Sequence, residues 1–343
     1  MDVANWVWLG TLAGLTGLLA MDLFVISRRP HEPSLRESAL WVCAYVALAV
    51  GFGLAVWSVW GGVYAGEFFA GWVTEYSLSV DNLFVFVIIM TRFGVPRPYQ
   101  QKVLLIGIVL ALLLRGAFIA AGAVLVERFV WVFYIFGAFL LYTAWKLVRH
   151  GEDDADDFNE NVVIRWSRRI LPLSPAYDAD RLTTRLEGRR VFTPLLIVMV
   201  AIGTTDLIFA LDSIPAIFGL TQEPYLVFTA NVFALMGLRQ LYFLLGGLLD
   251  RLTYLSVGLS VVLGFIGLKL VTEALHDNNV PFLNGGEPIP WAPEVPIWVS
   301  LAFIGATLTV TTVWSVVSSW RQARSASVSA QPAPAGETAS SQR

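Results

Sequence analysis

Charge is scarce in this chain. Asp, Glu, Lys and Arg make up 14% of its 343 residues, where a soluble domain carries about 25%. Too few polar groups remain to solvate an ordinary surface. With 56% hydrophobic residues and a mean hydropathy of +0.66, the chain reads as an integral membrane protein. Cysteine is rarer still: the single Cys43 excludes an intrachain disulfide framework and a thiolate metal site. The three histidines, His31, His150 and His276, fall outside the apolar stretches or at their ends, so no imidazole is offered in the core. A net charge of −3 without a basic cluster gives nucleic acid no footing. No ATP-binding motif and no nucleophile–base pair is visible, so an enzyme has no candidate residues, and no prosthetic group is expected.

What the chain does have is apolar length. A membrane span needs about 20 apolar residues. Nine windows qualify, near 6–26, 39–60, 68–91, 103–125, 129–148, 191–218, 225–248, 252–274 and 297–320. The first is too long for a signal peptide, and its positive charges follow it rather than precede it. Arg28, Arg29 and Arg36 follow span one. Arg92, Arg97 and Lys102 follow span three, and nine Lys or Arg residues lie around the connection after span five. Arg251 follows span seven; Arg321 and Arg324 follow span nine. The intervening connections carry only Arg128. The positive-inside rule therefore expects the N-terminus outside and the C-terminus inside.

This gives an all-α membrane protein with an expected division into two N-terminal spans (1–65), a three-helix unit (66–150), a cytoplasmic loop (151–190), a second three-helix unit (191–275), an outer loop (276–296), a last span (297–320) and a disordered tail (321–343). The acidic run Glu152–Asp157 in the cytoplasmic loop reads as a solvated surface rather than an ion-collecting antenna.

Two of the spans are not apolar throughout. Thr74-Glu75-Tyr76-Ser77-Leu78-Ser79-Val80-Asp81-Asn82 interrupts the third window, and Thr204-Thr205-Asp206-Leu207-Ile208-Phe209-Ala210-Leu211-Asp212-Ser213 interrupts the sixth. One ionised side chain at mid-bilayer costs roughly 2.5–3.5 kcal/mol even on the lenient insertion scale. The two stretches are also copies. Glu75 to Asp206 and Asp81 to Asp212 are both 131 positions (206 − 75 and 212 − 81). Downstream, Arg115 answers Arg239 at 124 (239 − 115) and Lys146 answers Lys269 at 123 (269 − 146), so one short length difference accounts for every offset. Each copy has a helix bearing acids, a helix bearing Arg and a helix bearing Lys. The expected topology makes the copies inverted, the arrangement in which transporters build a site between halves at the midplane.

On a helix, Glu75, Ser79 and Asn82 share one stripe, and Thr74, Ser77 and Asp81 share the next. Asp206 and Ser213 share a stripe of the sixth span, with Thr205 and Asp212 on its neighbour. Pro215 deprives the Leu211 carbonyl of its donor, so a helix break beside Asp212 is expected. Carboxylates, an amide and hydroxyls make a hard-oxygen set, suited to Mn²⁺, Mg²⁺ or Ca²⁺. Met199, on the Asp206 stripe, reads as packing before it reads as a soft ligand. Four acids face Arg115 and Arg239, leaving two negative charges for a divalent cation or protons to balance. The arginines read as charge-pairing and gating groups. Lys146 and Lys269 either snorkel or substitute for the cation when the site is empty.

These residues carry a resemblance. Glu75-x-x-Leu78-Ser79-Val80-Asp81-Asn82-Leu83-Phe84-Val85-Phe86 resembles the signature of the TerC family, named for tellurium resistance. So do Thr205-Asp206-x-x-Phe209-Ala210-x-Asp212-Ser213-Ile214-Pro215-Ala216 and Asn231-x-Phe233-Ala234-x-x-Gly237-Leu238-Arg239-x-Leu241-Tyr242-Phe243. The likeness runs from about Trp6 to the last span. It implies a multi-pass protein of the bacterial inner membrane whose better understood relatives export Mn²⁺, within the LysE-like transporter superfamily. It also implies that Glu75, Asp81, Asp206 and Asp212 hold the ion, with Asn82 and Ser213 beside them. Tellurite, an oxyanion, does not suit a path lined by carboxylates. The expectation is thus a secondary transporter exporting Mn²⁺, or Ca²⁺, with the lipid bilayer and the ion as its partners. The competing reading is a membrane scaffold in a tellurite or metal stress-response complex, its acids serving as structural ion pairs.

Overall fold

The computed structural model describes residues 1, 3–28, 34–129, 131–150, 169, 171–178, 181–186, 189–245, 255–276, 278, 280, 283–289 and 292–329. Among these residues ten α-helices and one small hairpin follow one another: α1 (Asn5–Arg28), α2 (Leu35–Trp60), α3 (Gly62–Arg92), α4 (Arg97–Arg128), α5 (Trp131–His150), β1 (Thr183–Leu186), β2 (Arg189–Phe192), α6 (Pro194–Phe218), α7 (Pro224–Met236), α8 (Leu238–Leu245), α9 (Leu255–His276) and α10 (Ile297–Ser329). Their boundaries follow ordinary punctuation. Ser34 caps α2 by accepting from the Glu37 N–H at 3.2 Å. Pro194 and Pro224 open α6 and α7, where the missing N–H is no loss. Gly61, at φ 98°, makes the sharp turn between α2 and α3 that a side chain would resist.

Among the described residues eight spans are long and apolar enough to cross a membrane, one fewer than the nine windows. The difference lies in α1, whose described apolar stretch, Asn5–Met21, falls short of a full span. The seventh window is one span in two pieces, α7 and α8, separated at Gly237. Two expectations are corrected. The helix expected to break beside Asp212 does not: α6 runs through Pro215 to Phe218. Pro215 stands in the last turn, so little helix lies beyond it to be redirected. The tail expected to be disordered from 321 begins as helix, because α10 continues to Ser329; residues 330–343 lie outside the described ones.

The helices pack reciprocally. α3 lies chiefly against α7, α4 against α6, and α5 against α9. α7 is enclosed nearly all round, with Tyr225 to Val227 and Thr229 to Met236 buried. Leu113, Ile208, Val310 and Trp314, by contrast, stay exposed on the outside of the bundle, as lipid-facing positions do. The α5–α9 crossing is the closest. A Cβ added at Gly137 would meet the Gly267 carbonyl oxygen at 2.8 Å, and one added at Gly267 would meet the Gly137 oxygen at 3.0 Å. Backbones approach this closely only where both residues lack side chains. Gly137→Ala is therefore expected to cost about 1–3 kcal/mol, seen as a lower thermal midpoint of the detergent-solubilised protein. An unchanged midpoint would contradict this backbone contact.

The hairpin is the element that the polar connection concealed. Thr183 to Leu186 pair antiparallel with Phe192 to Arg189, and the strand leads directly into α6. The Tyr177 hydroxyl donates to the Phe93 carbonyl at 2.6 Å, tying this segment to the turn between α3 and α4. Arg92, Arg97 and Lys102 thus share one end of the bundle with the arginines of the hairpin. Glu67, Glu223 and Glu273 line a cavity of about 380 Å³ at the opposite end.

Candidate functional site

α4 delivers one buried cation into the middle of the bundle. Arg115 is 1% exposed, and its guanidinium reaches three other helices. Nε and Nη2 donate to Asp206 Oδ2 and Oδ1 at 3.1 and 3.2 Å, a two-pronged grip on one carboxylate of α6. Nη1 donates to Ser213 Oγ at 3.2 Å, also on α6, and to Asn231 Oδ1 at 3.1 Å on α7. The same group forms an ion pair with Glu75 on α3. Glu75, Asp206, Ser213 and Asn231 are each no more than 2% exposed. One guanidinium against two carboxylates leaves this cluster a formal charge of −1.

The hydroxyls beside it behave in two ways. Ser77 and Thr204 satisfy themselves on carbonyls one turn back, at 2.8 Å to Val73 and 2.7 Å to Val200. Thr74 and Ser79, buried on either side of Glu75, have no hydrogen-bond partner among the described residues. A buried hydroxyl left unbonded forfeits about 1–3 kcal/mol, a cost that a bound ion or water would relieve. Asn82 is buried further along α3.

The expected set is only partly assembled. Glu75, Asp206 and Ser213 come together, whereas Asp212 turns toward α5, where the Thr143 hydroxyl donates to its Oδ1 at 3.2 Å and the charge of Lys146 acts on it. Among the described residues no three of His, Cys, Asp and Glu gather closely enough to hold a metal. The side chain of Asp81 lies outside the described residues, as do those of His31 and His150. Arg239 is buried on α8, just past the break at Gly237. Met199 is core: it packs in an apolar cluster with Leu83, Ile89 and Leu104.

Lys269 lines the cavity of Glu67 and Glu273 at one end of the bundle. Its Nζ donates to the Gly219 carbonyl at 2.7 Å, capping the C-terminus of α6, and lies 3.7 Å from Glu273. In the same cavity Thr221 donates to Glu67 at 2.6 Å. His276, at the end of α9, lies 2.8 Å from Glu294.

Reading the motifs alone overlooks Asn231 as a site residue. The available signal is an amide alone among the apolar residues Val227 to Met236, apart from Thr229.

Comparison with known proteins adds ancestry. Residues 60–323 match the model of the Integral membrane protein TerC family. The chain is 49% identical to the Uncharacterized membrane protein Rv2723 of Mycobacterium tuberculosis over 329 residues, 95% of this chain and 83% of that one. It is 35% identical to the Putative membrane-bound redox modulator Alx of Escherichia coli over 324 residues, 92% and 94% of the two chains. It is 42% identical to the Thylakoid membrane protein TERC, chloroplastic, of Arabidopsis thaliana over 243 residues, 71% and 63%. No solved structure matches.

Proposed function

The chain belongs to the TerC family of integral membrane proteins, and we propose that it is a secondary transporter moving a divalent cation, Mn²⁺ before Ca²⁺, out across the bacterial cytoplasmic membrane. The observation that carries this reading is the oxygen shell closed around Arg115. Two carboxylates and a hydroxyl from two helices converge on one positive group. That is the ligand set of a hard divalent cation with a tethered substitute in its place.

In this reading Arg115 offsets one of the two negative charges of the empty site, and an entering ion displaces it. Glu75 and Asp206 then bind the cation, with Ser213 assisting. Asp81, Asp212 and Asn82 lie on the same two helices and serve the other stages of passage, while Arg239 is the corresponding charge-pairing group of the second repeat. The reciprocal packing of α3 on α7, α4 on α6 and α5 on α9 is what two interlocked inverted copies would give, and it supports a rocking of one copy against the other. Without a nucleotide-binding motif, the driving force is an ion gradient. Protons taken by the same carboxylates would serve, and metal affinity would then fall as pH drops.

A redox role of the kind named for the Alx relative has less to draw on, since an intramolecular dithiol needs two cysteines and this chain has only Cys43, exposed on α2. The scaffold reading keeps one specific support: a buried arginine with this many partners is also what a structural ion pair looks like.

Flux into proteoliposomes tests the proposal. Under a proton gradient, purified wild type should move Mn²⁺ into vesicles loaded with a metal-sensitive dye, and Asp206→Asn should fall to the rate of empty vesicles. Wild-type vesicles that match empty ones with the gradient in either direction would overturn it.

A further inference from the structure

We infer that Asn231 is itself a ligand of the transported cation, supplying a neutral oxygen from α7 that completes the set of Glu75, Asp206 and Ser213. The inference rests on the transport reading above and names an oxygen that reading does not use.

The orientation of the amide is fixed. Asn231 Nδ2 donates to the Val227 carbonyl at 3.2 Å, within its own helix, which turns Oδ1 toward Arg115 at 3.1 Å. The side chain is 1% exposed on the most enclosed helix of the bundle, with Val227, Ala230, Val232 and Phe233 buried around it. An amide oxygen in such a place needs a partner. Once Arg115 is displaced, the ion that displaced it is the group left within reach.

The first copy offers no counterpart of Asn231. The offset that relates Arg239 to Arg115 (239 − 115, or 124) relates Asn231 to Gly107. A Cβ at Gly107 would meet Ile202 Cγ2 at 2.8 Å, so the equivalent place is filled by an apolar side chain and offers no oxygen. The site is one-sided: two carboxylates, a hydroxyl and one amide gather on Arg115. Their formal charge of −2 without Arg115 matches a divalent cation.

The competing role for Asn231 is to position Arg115 and nothing more. Equilibrium Mn²⁺ binding to the purified full chain separates the two, because they predict opposite signs. As a ligand, Asn231→Ala weakens binding about tenfold, both in the wild type and in an Arg115→Ala background, while Asn231→Asp keeps or tightens it. As an anchor, Asn231→Ala frees the competing guanidinium, so binding stays unchanged or tightens in the wild type, and the change vanishes once Arg115 is gone. Either of those results overturns the inference, and the wild-type comparison suffices should Arg115→Ala not fold. Glu75→Gln keeps this failure apart from that of the transport reading. If Glu75→Gln loses Mn²⁺ and Asn231→Ala does not, only the present inference falls. If the wild type binds no Mn²⁺, or Glu75→Gln leaves binding unchanged, the transport reading falls with it.

Discussion

Replacing Arg115 by Ala should cost the apo protein about 3–5 kcal/mol, the penalty for leaving buried carboxylates without their counter-charge. Glu75 and Asp206 are both almost fully enclosed, and Arg115 holds both oxygens of Asp206. The transport reading adds a second half to this expectation. A cation that binds where the guanidinium sat should restore stability, by about 2.7 kcal/mol at a hundred times its Kd. The thermal midpoint of Arg115→Ala should therefore fall in metal-free detergent and rise with added Mn²⁺ by more than the wild type's does, since in the wild type the ion must first displace the arginine. A loss of stability that no divalent cation relieves would favour the scaffold. No loss at all would mean that Arg115 is not the counter-charge.

Glu75→Gln should act the other way round, with a modest effect on stability and a large one on binding. Arg115 keeps its grip on Asp206, Ser213 and Asn231, so the fold should lose only one charge-assisted contact, about 1.5–3 kcal/mol. Removing one of two carboxylates from a hard-cation site lowers its charge, which is what sets affinity in such sites, and about a hundredfold loss of Mn²⁺ affinity is expected. Equilibrium binding beside thermal unfolding of the same samples checks both halves. A structural ion pair would show the stability loss with no metal binding to lose.

Much of this architecture is legible in the sequence because a bilayer restricts what a chain can do. Windows of apolar length place the helices, though the starts of α3 and α4 lie six residues earlier and the end of α10 nine residues later than the windows give, and the echo of Glu75 in Asp206 and of Arg115 in Arg239 points to the helices that meet at the centre. The stripe that joins Asp206 to Ser213 and leaves Asp212 on the neighbouring one is visible by counting 100° per residue; the structure puts the first stripe on Arg115 and the second on Thr143. Which stripe faces which helix is a matter of packing, and counting does not give it. Pro215 misleads because the cost of a proline depends on how much helix follows it. The separation at Gly237 is hidden inside an apolar run of ordinary span length. The hairpin is masked by arginines at Arg185, Arg189 and Arg190, which blur the alternation of its strands. Asn231 is hidden for a different reason: it has no echo in the first repeat, and symmetry is the guide that finds the other residues.

The most direct test of the central claim is intracellular manganese, measured by elemental analysis in cells that lack their own Mn exporters and are grown under Mn stress. Expression of the wild-type chain should lower cellular Mn, and Asp206→Asn, present in the membrane at the same level, should leave it as high as in cells with empty vector. Equal Mn in all three, with both proteins confirmed in the membrane, would contradict export of this ion through the Arg115 site.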